Sequence, residues 1–166
     1  ATSEKSTAKE GQKAALALIQ DESTLTLATA GESGPWSAPV YCVCVNGCFY
    51  FFSSPQSRHI RQAMDSGKAA ASLFHPADSW QAIRGIQMAG TVEPVDAVAL
   101  SVKVIAVYLK RFCFAREFFP DDPTPDLAAF FSRFKARLYT FTPTAVYYID
   151  NRFGFGTRQQ IDLAAR

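Results

Sequence analysis

The dipeptide Asn46-Gly47 constrains the fold of this chain more than any other short feature, because it separates two strand-like segments. Both residue types accept a positive φ angle, and Asn-Gly is the strongest short-range signal for a two-residue β-hairpin. The segments Trp36 to Val45 and Cys48 to Ser53 on either side are rich in β-branched and aromatic residues. We therefore predict two antiparallel strands joined at this turn.

The periodicity of apolar residues predicts the remaining elements. Alternation and β-branched residues indicate further strands, and Pro143 divides the last extended segment into two. The predicted strands are 24–30, 68–75, 81–95, 137–142 and 144–149, and the predicted helices are 6–20, 55–66, 96–111 and 127–136. Strands at short spacing with few helices favour a small antiparallel barrel, mainly β within the α+β class.

Length and composition indicate one globular domain, 1–166, with an N-terminal helix (1–22), a barrel core (24–95), a helical segment (96–136) and closing strands with a tail (137–166). Hydrophobic residues make up 48% of the chain and charged residues 19%, which argues against disorder. A net charge of +2 gives no electrostatic footprint for nucleic acid. Because no apolar run could span a bilayer and no signal peptide is visible, we expect no membrane partner and a cytoplasmic location.

The aromatic strand continues into the stretch FYFFSSPQSRH, residues 49–59, which combines hydroxyls, a proline and an arginine. Ser54 is the predicted N-cap of a helix whose first residue is Pro55. A helix N-terminus presents unpaired N–H groups and favours an anion. Ser53 could add a hydroxyl, and Arg58 could donate two hydrogen bonds to phosphate oxygens. The stretch predicts a phosphate site, and the alternative is an ordinary capped helix with a solvated arginine.

The cysteines allow two interpretations. Cys42 and Cys44 share one face of a predicted strand, with Cys48 across the turn, so the three could bind a soft metal. The usual Cys-x-x-Cys spacing is absent, however, and both histidines are distant in sequence. We therefore predict no metal site and small, reduced, buried cysteines, which fits a cytoplasmic protein.

In their order along the chain these segments resemble the pyridoxamine-phosphate-oxidase-like FMN-binding split barrels. The matching run is TLTLATAGESGPWSAPVYCVCVNGCFYFFSSPQSRHIRQAMDSGKAAASLFH, residues 24–75, followed by IQMAGTV, residues 86–92. The ending YIDNRFGFG, residues 148–156, resembles one branch of small bacterial members. The resemblance implies a six-stranded antiparallel split β-barrel with peripheral helices, assembled as a homodimer with FMN at the subunit interface.

The resemblance also implies which residues bind the cofactor. The FMN-phosphate positions fall on Ser53, Arg58 and His59, where His59 replaces the usual lysine. The segment that faces the isoalloxazine ring begins at Ala38, where the family has arginine, and a glutamine of the long strand meets the cofactor from the other subunit. The implied set is Ala38, Pro39, Val40, Tyr41, Cys42, Val43, Phe52, Ser53, Ser54, Arg58, His59 and Gln87, with Gln81 as an alternative to Gln87.

The residues that bind pyridoxamine phosphate in the family's oxidases are missing, because segment 40–45 lacks a lysine and the closing W-G-G-like motif is absent. We therefore expect an FMN-dependent oxidoreductase of unknown substrate, in which hydride passes directly to flavin N5 and NAD(P)H or another small molecule is the partner. The alternatives are a non-catalytic flavin-binding or electron-storage protein, a deazaflavin in place of FMN, and a haem-binding or haem-degrading relative that uses His59 or His75.

Two aromatic segments remain. Residues 112–120 fit either a lid over a flat ligand or packing in the core and dimer interface, of which we favour packing. Helical spacing also places Phe130, Phe131 and Phe134 in the core. The glycines of the tail 151–158 lie outside any βαβ unit, so they do not indicate a dinucleotide loop, and the tail could instead pack on the partner's flavin site.

Overall fold

The computed structural model describes residues 2–122 and 124–163, with side chains from residue 7 onward; residues 1, 123 and 164–166 of the predicted domain lie outside the described part. The helices are α1 (Thr2–Asp21), α2 (Arg58–Ser66), α3 (Val98–Arg111) and α4 (Leu127–Phe134). The strands are β1 (Thr24–Gly31), β2 (Gly34–Val45), β3 (Cys48–Ser53), β4 (Ala69–His75), β5 (Arg84–Pro94), β6 (Arg137–Asp150) and β7 (Arg158–Gln160). Three short 3₁₀ segments are Trp80–Ala82, Cys113–Phe118 and Asn151–Phe153.

These strands form one antiparallel sheet in the order β3-β2-β1-β4-β5-β6-β7, and β3 also pairs with β6. That last pairing closes a six-stranded barrel, with β7 as an extra strand beside β6. The predicted six-stranded antiparallel split barrel of the α+β class is therefore confirmed. The sequence did not predict β7, because three residues are too few to show a period.

The hairpin predicted at Asn46-Gly47 is present. Val45 pairs with Cys48, and the two turn residues have φ angles of 52° and 77°. Positive φ at both central positions is the requirement of a type I′ turn, whose twist matches that of the flanking strands.

Pro143 does not end a strand, so the prediction of two separate closing strands is wrong. The pairing of β5 with β6 shifts register at this point, where Ala89 pairs with Ala145 but Gly90 pairs with Pro143. The additional residue, Thr144, donates its hydroxyl to the carbonyl of Ala89 at 3.2 Å. A bulge tolerates a residue without an N–H donor, so the strand continues through the proline.

Apolar side chains form two cores on opposite sides of β3. Phe49 and Phe51 point into the barrel, where α1 and α2 also contribute, whereas Tyr50 and Phe52 point outward against α3, α4 and segment 113–118. Phe130 joins this outer core as predicted, with its ring stacked 4.1 Å from that of Phe52.

The predicted cores of two helices are partly wrong. Ile105 and Leu109 of α3 are buried, but Val98 and Val102 are 75% and 60% exposed. Phe131 and Phe134 of α4 are each 41% exposed. Helical periodicity identifies the apolar face of a helix, but not how far along its length the sheet covers that face.

One outer face of the barrel is not covered by helices, and we call it the open face. Its residues come from one side of β2, β1, β4, β5 and β6 and are exposed or half-exposed. Cross-strand pairing arranges them in two rows, Ser37, Ala28, Ala70, Ala89 and Ala145, and Pro39, Thr26, Ser72, Gln87 and Tyr147. Most of these side chains are small, so the surface is flat and weakly polar.

Among the described residues no helix is both long enough and apolar enough to cross a membrane.

Candidate functional site

The stretch FYFFSSPQSRH ends β3 and begins α2, but the helix starts later than predicted. Its first residue is Arg58 and its N-cap position is Ser57, so the assignment of Ser54 as N-cap and Pro55 as first helical residue is wrong. The hydroxyl of Ser54 instead accepts a hydrogen bond from the N–H of Gln56 at 3.2 Å. A serine that bonds to the backbone two residues on stabilises a turn, and this turn delays the helix.

Three polar side chains meet where β3 passes into α2, and we call them the hydroxyl–imidazole cluster: Ser53, Ser57 and His59. The Nε2 atom of His59 lies 2.8 Å from the Oγ of Ser53 and 3.3 Å from the Oγ of Ser57. The two hydroxyl oxygens are 3.1 Å apart. The structure therefore brings together two of the three predicted phosphate residues, Ser53 and His59. The sequence analysis missed Ser57, although its place just before Arg58 at the helix start was a usable signal.

Arg58, the third predicted phosphate residue, points away from this cluster. Its guanidinium donates to the carbonyls of Ser33 at 2.7 Å and Gly34 at 3.3 Å, and it lies 4.6 Å from the ring centre of Trp36. Consecutive residues of a helix project about 100° apart. Arg58 therefore faces the β1–β2 turn, while His59 faces the end of β3.

Gln62 holds the helix in this orientation. Its side chain is buried, its Oε1 accepts from the hydroxyl of Thr29 at 2.8 Å, and its Nε2 donates to the carbonyl of Gly34 at 2.9 Å. Because Gln62 follows Arg58 by one helical turn, both side chains bind the same β1–β2 turn. This contact fixes α2 over one end of the barrel, and the sequence analysis missed it.

The charged residues that adjoin the cluster in the sequence and in the sheet pairing are basic. No acidic residue lies in the first turn of α2, Arg58 and Arg61 belong to that turn, and Ser53 pairs across the sheet with Arg137. Burial lowers the pKa of His59 below its usual value of 6.5. Together with the N–H groups at the start of α2, this arrangement suits an anion.

The cluster lies beside an opening in the sheet. Pairing between β2 and β3 ends at Cys42 and Phe51, after which β3 pairs only with β6. Residues 38–41 of β2 therefore pair with β1 on one side alone, and Phe52 and Ser53 leave β2 at the same level. This split exposes backbone N–H and C=O groups of β2 on the side from which β3 departs.

Side chains of the predicted ring-binding segment alternate between two environments. Ala38, Val40 and Cys42 are buried in the barrel, and Val43 is buried in the outer core. Pro39 and Tyr41 are exposed. Contacts to a planar ligand from this segment would therefore come from its backbone and from two outward side chains.

Tyr41 forms an aromatic wall with the 3₁₀ segment that follows α3. Its ring centre lies 5.3 Å from that of Phe112 and 5.9 Å from that of Phe114. Phe112 is buried, whereas Tyr41 and Phe114 are 55% and 49% exposed. The predicted packing role therefore describes Phe112, while Phe114 stands beside the exposed part of β2.

Other predicted residues lie elsewhere. Gln87 is exposed on the open face, on β5, which is separated from β2 by β1 and β4, so it does not join the cluster within one chain. Cys42 is a core residue, as expected, and burial raises its pKa to about 12. Cys44 and Cys48 are only partly buried and Cys113 is exposed, so the prediction of buried cysteines is wrong for Cys113 and holds fully only for Cys42. Arg158 lies 4.8 Å from the ring of Tyr147, and Phe155 in the tail is 82% exposed beside Trp80.

The closed sheet, with its split between β2 and β3, places the chain among the split β-barrels. Residues 12–149 match the family model described as pyridoxamine 5'-phosphate oxidase, and the chain belongs to this family. The predicted resemblance is thereby confirmed. No curated protein matches the sequence.

Solved structures with the same fold share little sequence with this chain. HutZ, the haem storage protein from Vibrio cholerae, is 18% identical over 87% of this chain and 96% of its own, with a TM-score of 0.64. A FAD-binding protein from Mesorhizobium loti is 12% identical over 80% and 87% of the two chains, with a TM-score of 0.60. A haem-binding protein from Mycobacterium smegmatis is 18% identical over 90% of this chain, with a TM-score of 0.64, but the match spans only 56% of its own length.

Proposed function

We propose that this protein binds FMN and acts as a flavin-dependent oxidoreductase. The observation that carries the proposal is the position of the hydroxyl–imidazole cluster, at the start of α2 and beside the unpaired backbone of β2. A phosphate site and a site for a planar ring are thus adjacent in one chain. Family membership supports a flavin, and so does the structural similarity to the FAD-binding protein from Mesorhizobium loti.

The phosphate end uses donors that suit a dianion. Ser53 and Ser57 supply hydroxyls, the first N–H groups of α2 point toward the same end of the helix, and His59 supplies an imidazole nitrogen. A phosphate on an FMN-like molecule carries about −1.5 to −2 charge near neutral pH. No acidic residue in the first turn of α2 opposes that charge, and Arg58 on the same turn could reach the phosphate by leaving the carbonyls of Ser33 and Gly34. Ser54 and Phe52, at the end of β3, complete this side of the proposed site.

The ring end uses the backbone of residues 38–41 and the exposed side chains of Pro39 and Tyr41. When bound, flavin supplies hydride or electron transfer at its ring. The chain's part is to hold the ring against β2, to donate and accept backbone hydrogen bonds there, and to exclude water with Tyr41 and Phe114. Among the described residues near the split we assign no side chain as acid or base.

We further propose that two copies associate through the open face. Its two rows of mostly small side chains would let a second barrel approach closely, and a two-fold dimer uses the same patch of surface on both subunits. Gln87 lies on this face, so in a dimer it would be available to the other subunit's cofactor. A cytoplasmic location is part of the same proposal.

Haem is the second candidate. Two of the structural relatives are a haem-binding protein and a haem storage protein, and one feature of this chain is compatible with a haem ligand. The Nδ1 of His75 lies 2.6 Å from a carboxylate oxygen of Glu22, and such a carboxylate partner orients many metal-binding histidines. The imidazole of His59, in contrast, is engaged with two serines.

The test is the visible absorption spectrum of the purified protein, followed by titration with FMN, riboflavin and haem. We expect flavin bands or submicromolar binding of FMN, with riboflavin weaker, and a dimer by light scattering. A Soret band lost in His75→Ala would favour haem instead. Screening bound flavin for reduction by NADH and NADPH would then separate an oxidoreductase from an electron-storage protein. A protein that binds neither flavin nor haem would refute the proposal.

A further inference from the structure

His59 is the one titratable side chain of the hydroxyl–imidazole cluster. A lysine at this position would be charged throughout the physiological pH range, but an imidazole changes its charge near neutrality. The environment of His59 therefore decides how strongly the site attracts an anion. Because the residue is about half buried between two serines, that environment can be specified from the structure.

The groups around the ring favour the neutral imidazole when no anion is bound. Burial lowers the pKa of His59. On its own helix the charged neighbours are Arg58 and Arg61, the loop 54–57 carries no charge, and on β6 the residue paired with Ser53 is Arg137. The Arg58 guanidinium is turned toward the β1–β2 turn and that of Arg137 lies over the ring of Phe131, so burial is the cause that favours the neutral imidazole.

A bound phosphate would reverse this balance. An anion in contact with an imidazole stabilises the imidazolium, and in this state both ring nitrogens donate hydrogen bonds. Ser53 can accompany the change, because its hydroxyl can rotate from donating to Nε2 toward donating to the anion, whereas the hydroxyl of Ser57 donates to the carbonyl of Ser54 at 2.8 Å and would leave that bond to reach the anion. The cluster can therefore serve both charge states without moving its backbone.

We propose that phosphate binding at this site takes up a proton on His59, so that FMN affinity rises as the pH falls. The inference rests on the proposed function, since it concerns the same site. By linkage, affinity increases only between the pKa of the free protein and the higher pKa of the complex, by at most about tenfold per pH unit for one proton. Above this window the phosphate binds a neutral imidazole and is held mainly by the hydroxyls and the helix N-terminus.

The experiment measures the dissociation constant of FMN from about pH 5 to about pH 9 for the wild type, His59→Lys and His59→Gln. FMN's own phosphate titrates near pH 6, and this effect is common to all three proteins. On going from about pH 8 to about pH 6, we expect the FMN affinity of the wild type, divided by that of His59→Lys, to rise by about fivefold or more. The FMN affinity of His59→Gln, divided by that of His59→Lys, should not change over the same range. Riboflavin lacks the phosphate, so the ratios of riboflavin affinity between the three proteins should not change with pH. Binding of riboflavin also shows that each variant is folded.

A second measurement reports the proton directly. The chain has only two histidines, so the ring signals of His59 and His75 can be followed separately by NMR. FMN should raise the pKa of His59, and the ring signals of His75 serve as an internal reference. The same pH dependence of FMN affinity in wild type and His59→Gln, or a pKa of His59 that does not change when FMN binds, would overturn this inference while the flavin proposal stands. Failure of all three proteins to bind FMN would overturn both.

Discussion

Substitution of Arg58 tests the phosphate site most directly, because the structure shows what the guanidinium must give up in order to bind an anion. It now donates to two backbone carbonyls and stacks on Trp36. Two hydrogen bonds to a phosphate would contribute about 3–6 kcal/mol before these losses, at about 1.5–3 kcal/mol each. The two bonds to the carbonyls, at about 0.5–1.5 kcal/mol each, and the stacking, at about 0.5–1 kcal/mol, together contribute about 2–3 kcal/mol at the middle of these ranges.

The difference predicts that Arg58→Ala weakens FMN binding by about 1–3 kcal/mol, which corresponds to roughly 5-fold to 150-fold in the dissociation constant. The FMN affinity of Arg58→Lys should lie between those of the wild type and Arg58→Ala, since lysine keeps the charge but loses the planar pair of donors. The assay is flavin fluorescence titration at constant ionic strength, with light scattering to compare the oligomeric state of the variant with that of the wild type.

Two controls isolate the effect. Arg61→Ala removes a cation of the same type from the same turn of α2, and because Arg61 is exposed we expect a change of less than about twofold. Riboflavin affinity should be unaltered in Arg58→Ala. Normal FMN binding by Arg58→Ala would show that the guanidinium serves only to hold the β1–β2 turn.

Two further predictions concern stability. Gly90→Ala should lower the free energy of unfolding by about 2–4 kcal/mol in urea denaturation, because a Cβ atom would lie 2.3 Å from the carbonyl oxygen of Thr142 and 2.9 Å from the ring of Phe141; an unchanged midpoint would contradict the bulge geometry. Asp150→Asn should lower it by about 1–2 kcal/mol at neutral pH. Burial alone would raise the pKa of Asp150, but hydrogen bonds from its arginine neighbour and from Tyr148 outweigh it and hold the pKa below 3.8. Because the pKa of Asp150 is lower in the folded protein than in the unfolded chain, its carboxylate stabilises the fold at pH values above the unfolded pKa. The difference in unfolding free energy between wild type and Asp150→Asn should therefore shrink as the pH falls below about 3.8. A difference that persists at such low pH would refute this account of Asp150.

Each stability prediction has a control. A Cβ atom at Gly11 would also be too close to a neighbour, but that neighbour is the flexible end of Gln159, so Gly11→Ala should be neutral or stabilising through helix propensity. Arg152, the partner of Asp150, is half exposed, so Arg152→Lys should cost less than Asp150→Asn.

Local signals in the sequence were sufficient for most of the barrel. Asn46-Gly47 identified a hairpin because its turn type depends on two residues alone. Alternation together with β-branched and aromatic residues identified β1 to β5, including β3, which is buried on both faces. The predicted break at Pro143 was wrong because a strand can continue through this proline only with the register shift opposite Gly90, which no local pattern shows. The prediction that Val98 and Val102 are buried was wrong because the part of a helix that is covered depends on where the sheet ends.

The candidate site was predictable only in part. Ser53 and His59 follow from their place between a strand and a helix, and the structure brings them together. The direction of Arg58 depends on carbonyls of the β1–β2 turn, which lie distant in sequence. The role of Gln62 depends on the same turn. Such contacts are set by the crossing of α2 over the barrel and leave no period or motif in the chain.

The pairing of β3 with β6 joins a strand made early in synthesis to one made late, since Phe49 pairs with Phe141 and Ser53 with Arg137. Pairings so distant in sequence form slowly, because chain entropy is lost before the contacts form. Until β6 has been made, the edge of β3 has no partner and the nascent chain is prone to aggregate. Because Ser53 is the last residue of this pairing, a ligand bound there would bind only the closed barrel and stabilise it by mass action. The supply of cofactor in the cell would then govern how much protein folds as well as how much is active.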